Sequence, residues 1–76
     1  MPRNIFNWTF NEVTAFLKAH GFVLNYTNAS HYYYRGHRDE HLRNVCVPYH
    51  GSKAIKPRTF KSIMLQSGIP REEWCK

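Results

Sequence analysis

The chain has 76 residues, with 11 Lys and Arg against five Asp and Glu, for a formal charge of +6 with every His neutral. That length fits one small domain with a single thin core, since a chain of this size buries only about 60% of the surface exposed when unfolded. No run of apolar residues exceeds three, far below the ~20 that a membrane span needs or the roughly 7–15 of an export signal. The sequence therefore predicts a cytoplasmic protein over residues 1–76, with no membrane partner. The basic balance favours an anionic partner, nucleic acid first and an acidic protein second. With only Cys46 and Cys75, a disulfide framework is not indicated. Cys46 reads as a small hydrophobe within a strand and Cys75 as a loose residue near the end.

The first helix signal is Thr9-Phe10-Asn11-Glu12, a capping box in which the hydroxyl and the carboxylate satisfy free backbone N–H groups. Phe10, Val13, Leu17 and His20 follow at helical spacing, with Phe16 beside them, and Gly21 stands where a left-handed cap is wanted. This predicts a helix from Thr9 to His20. From Phe22 the period becomes two, with Phe22, Leu24 and Tyr26 on one side and Val23, Asn25 and Thr27 on the other. Asn28-Ala29-Ser30 is a turn, and His31-Tyr32-Tyr33-Tyr34-Arg35 a second strand.

The polar segment Gly36 to Arg43 reads as an exposed loop, followed by a third strand over Asn44 to His50. After a loop over Gly51 to Lys56, Pro57 opens a second helix that runs to Ser67, with Gly68 as its cap and Pro70 as its stop. Arg71 to Trp74 adds one turn that tucks Trp74 against the domain. The order α-β-β-β-α predicts an α+β fold, a three-stranded antiparallel sheet with two helices on one face and the other face wet.

On the second strand, His31, Tyr33 and Arg35 share a face and Tyr32 and Tyr34 the opposite one. The first set is expected outside, because burying an unpaired Arg35 is unfavourable. An imidazole beside an aromatic face and a cation suits RNA, through stacking and phosphate pairing. His50 ends the third strand, and Lys53, Lys56, Arg58 and Lys61 cluster over the next loop and first helical turn, where helix N–H groups also attract phosphate. His37-x3-His41 and Cys46-x3-His50 have the spacing of metal ligands. The first pair falls in the predicted loop and zinc-finger spacing is absent, so no metal or other cofactor is expected. At this level a nuclease, a non-catalytic double-stranded-RNA-binding module and a protein that docks an acidic partner all remain open.

The segments Phe16-Leu17-Lys18-Ala19-His20-Gly21-Phe22, Asn28-Ala29-Ser30-His31-Tyr32, Val47-Pro48-Tyr49-His50, Ile55 to Ile63, and Gly68-Ile69 together form a series. Over about Val13 to Trp74 it resembles the HicA toxin family of bacterial type II toxin–antitoxin systems. The resemblance implies a double-stranded-RNA-binding-like fold, an mRNA-cleaving activity that stops translation, and a HicB-type antitoxin as protein partner. The family's Gly-Ser/Thr-His motif falls on Ala29-Ser30-His31, which makes His31 the expected catalytic residue and places Ser30 beside the RNA. Ala29 departs from the usual Gly, and Arg58 stands where Gly is common. The expected RNA-contacting set is Ser30, Tyr33, Arg35, His50, Lys53, Lys56, Arg58 and Lys61. His50 and Tyr33 are alternative second proton carriers.

Overall fold

A computed structural model describes residues 7–75; the predicted domain limits at 1 and 76 lie outside them. The elements are α1 (Phe10–Ala19), β1 (Val23–Asn28), β2 (His31–Arg38), β3 (His41–Pro48), α2 (Pro57–Ser67) and the single turn α3 (Arg71–Trp74). The strands form one antiparallel sheet in the order β1-β2-β3. The arrangement is the α+β order that the sequence predicts.

Local chemistry accounts for both long helices. The Thr9 backbone N–H donates to Glu12 Oε1 at 2.9 Å, and the Glu12 N–H donates to Thr9 Oγ1 at 3.4 Å, which closes the capping box. Phe10, Val13 and Leu17 of α1 are buried, whereas Phe16 and His20 lie half-buried beside them. Helix α2 opens on Pro57 and ends at Gly68, whose φ of +73° is the left-handed geometry that glycine takes without strain.

Two strand expectations are corrected. Leu24 pairs with Tyr34 but Tyr26 pairs with Tyr33, because a bulge interrupts the register between them. Cross-strand partners share a face, so Leu24 and Tyr26 lie on opposite faces rather than on one side. The extra residue of a bulge shifts the alternation of everything after it. The predicted loop over Gly36 to Arg43 is instead the tip of a hairpin, with β2 running to Arg38 and β3 starting at His41. Asp39 and Glu40 turn the chain with φ of +53° and +67°, and two positive φ values suit the tight loop that matches strand twist. Gly36 is buried against Phe22, where any Cβ would stand 2.7 Å from the ring, so the position requires glycine. His37 pairs with Leu42 and His41 with Arg38, so the two imidazoles occupy opposite faces.

The inner sheet face carries Tyr34, Val45 and Val47, which pack with Phe22, Val13, Leu17, Phe60 and Ile63. Trp74 is fully buried, with its ring stacked on Phe16 at 3.9 Å and edge-on to Trp8 at 5.5 Å and Phe60 at 5.2 Å. Its indole N–H donates to the Ile69 carbonyl at 3.2 Å. Cys75, expected to be loose, is half-buried against this cluster. The loop before α2 is tied down by the Ile55 N–H, which donates to the Trp8 carbonyl at 2.7 Å.

Candidate active site

His31 is the first residue of β2, placed by the two-residue turn Ala29-Ser30 and paired with Asn28 on one side and Pro48 on the other. It is exposed, on the face opposite Tyr34, as the strand period requires. Ala29 holds the turn with φ of +56°. The Tyr49 N–H donates to the Ser30 carbonyl at 2.8 Å, so the end of β3 is clamped to the turn that carries His31. This clamp draws the following residue, His50, to the same place.

A groove of about 470 Å³ lies beside His31, lined by Cys46, Pro48 and His50 from the sheet side and by Arg58, Thr59, Ser62 and Gln66 from α2. Its far wall is fixed by the Cys46 N–H, which donates to Gln66 Oε1 at 2.9 Å. The outward backbone group of the edge strand is thereby satisfied by a helix side chain. The groove has two imidazoles, a guanidinium, two hydroxyls and a carboxamide on its walls, and no carboxylate. Arg58, Thr59 and Ser62 belong to the first turns of α2, where the helix end adds a partial positive charge.

Of the residues expected at the site, His31, His50 and Arg58 meet in the groove. Ser30 contributes through the turn. Tyr33 stands outside the groove on the open sheet face, stacked on Tyr26 at 4.5 Å and 11°. Its phenol pKa is raised above 10.0, chiefly by a hydrogen bond with the Cys46 thiol opposite. Arg35 lies further along that face, its Nε donating to Asn44 Oδ1 at 3.4 Å. Lys53 and Lys56 are exposed in the loop before α2. Lys61 is on a different flank of α2, where it lines a second groove with Arg43 and Arg71.

Thr59, Ser62 and Gln66 are groove residues that the sequence reading did not single out. Their spacing of three and four places them on one side of a helix, a polar stripe that was available as a signal. Among the described residues, no group of three or more His, Cys, Asp or Glu is placed to hold a metal ion. No described helix is long and apolar enough to cross a membrane.

The family model for the HicA toxin of bacterial toxin–antitoxin systems matches residues 10–69, from the first residue of α1 to just beyond the cap of α2. The chain belongs to the HicA toxin family. A search of curated proteins gave no match. Membership makes the chain the toxin of a toxin–antitoxin pair, with an antitoxin as its counterpart. The residues that line the groove all fall within the matched span, and α3 lies beyond it.

Proposed function

We propose that this HicA-family chain is a metal-independent endoribonuclease that cuts mRNA in the cytoplasm and so stops translation, with His31 as its catalytic residue and a HicB-type antitoxin as its inhibitor. The observation that carries this reading is the convergence of His31, His50 and Arg58 on one open, carboxylate-free groove. RNA contains its own nucleophile. The ribose 2′-hydroxyl attacks the adjacent phosphorus, and the bond from phosphorus to the 5′ oxygen breaks.

One imidazole takes the proton from the 2′-hydroxyl while the other, protonated, gives a proton to the departing 5′ oxygen. The products are a 2′,3′-cyclic phosphate and a 5′-hydroxyl end. Imidazole suits both tasks because its two forms interconvert near neutral pH. His50 is the better second carrier, since Tyr33 is outside the groove and its proton is held more tightly than an ordinary phenol's. Arg58 offsets the charge that builds on the phosphoryl oxygens. Ser30, Tyr33, Arg35, Lys53 and Lys56 guide the flanking strand, with Lys61 at its margin.

Incubation of a long RNA with the purified protein in the presence of EDTA tests this. Cleavage should persist with chelator and fall at least about 100-fold in His31→Ala, the lower range for loss of one acid–base group, while RNA affinity remains. EDTA-sensitive cutting, or normal cutting by His31→Ala, overturns the reading.

A further inference from the structure

No described element covers the sheet face opposite the core. Tyr26 and Tyr33 stand on it as a nearly parallel pair, 4.5 Å between centroids. Tyr26 is 53% exposed and belongs to β1, the edge strand, so no further strand lies beyond it. Arg35 and His37 continue the same face along β2, and His31 begins it. The described acidic residues are elsewhere, with Glu12 on α1, Asp39 and Glu40 in the hairpin turn, and Glu72 and Glu73 on α3.

We propose that this face is a stacking platform for unpaired nucleotides, centred on Tyr26 and Tyr33, that continues the strand leaving the His31 groove and makes the substrate single-stranded beside the cleaved bond. The inference rests on reading the groove as an RNA site. Two rings already in parallel register offer a flat π surface to a third, and every base has such a surface, so recognition is independent of sequence. Arg35, steadied by Asn44 at 3.4 Å, stands one strand period from Tyr33, suited to a phosphate between stacked bases. A duplex cannot use the platform, because its bases are stacked on one another and its major groove is too narrow for side chains to read.

Fluorescence anisotropy on the His31→Ala protein, with a labelled single-stranded RNA and the same RNA annealed to its complement, tests the platform. Tyr26→Ala should weaken single-strand binding about tenfold, the scale of one lost base stack, and change duplex binding less than about twofold on the same grounds. Tyr26→Phe, which keeps the ring, should retain the affinity. An unchanged single-strand affinity in Tyr26→Ala, an equal loss for both RNAs, or no single-strand binding by the parent overturns the proposal. Failure of the nuclease reading shows separately, in the cleavage assay, which this binding measurement does not use.

Discussion

Ala29 adopts a φ of +56°, a region where a Cβ crowds the following carbonyl and costs roughly 1–2 kcal/mol. It is the first central residue of a two-residue hairpin loop, a position that favours glycine, and the HicA motif has glycine there. The backbone nevertheless takes the glycine-type geometry, so the turn still presents His31 on the open face. Ala29→Gly should therefore stabilise the chain, by up to about 1 kcal/mol once the greater freedom of glycine in the unfolded state is subtracted. Urea unfolding of the two proteins measures this, and a lower midpoint for the glycine variant would show that the turn is not strained. The methyl group was legible in the sequence as a departure from the motif. Its accommodation was not, because that depends on the clamp between Tyr49 and Ser30, two segments distant in sequence.

Among the elements, α2 has the most to do with the site. Its inner side buries Phe60, Ile63 and Ser67, one flank lines the His31 groove and another holds Lys61. If RNA lies in the groove, Arg58→Ala should weaken binding and reduce the salt slope by about one, as loss of a single phosphate contact does. Titrations at several salt concentrations read this directly; an unchanged slope would place the strand elsewhere. The bounds of α2 were legible because Pro57 and Gly68 are local signals. The groove was not, since Gln66 meets Cys46 across 20 positions and strand spacing says nothing of which helix lies alongside. The hairpin tip escaped for a different reason: Asp39-Glu40 is an uncommon pair at positive φ, and the residues around it lack alternation because Gly36 is buried beneath Phe22 while its neighbours face water.

On the scale of the whole molecule, one cluster joins Trp8 before α1 to Trp74 after α2 through Phe16 and Phe60. The capping residues and apolar stripes foretold which helices would pack, and the single turn bearing Trp74 formed as expected. The partners of Trp74 could not be read, because its stacking on Phe16 joins residues 58 positions apart (74 minus 16). Trp74→Ala should cost about 3–5 kcal/mol, as is typical of removing a buried aromatic. Set against a total stability of about 5–15 kcal/mol for folded domains, that loss should move the urea midpoint far down or abolish the native baseline. A shift of only a few tenths of a kcal/mol would mean that α3 docks loosely.

The carboxamide of Gln66 and the irregularity between Leu24 and Tyr26 occupy opposite margins of the same sheet. Exposed strand margins invite other chains to add on, and native proteins suppress this by covering them or by breaking their regularity. Here a helix side chain occupies one margin and a kink disrupts the other. A free copy of the chain, with one margin capped and the other kinked, is therefore expected to disfavour strand-by-strand addition of further copies.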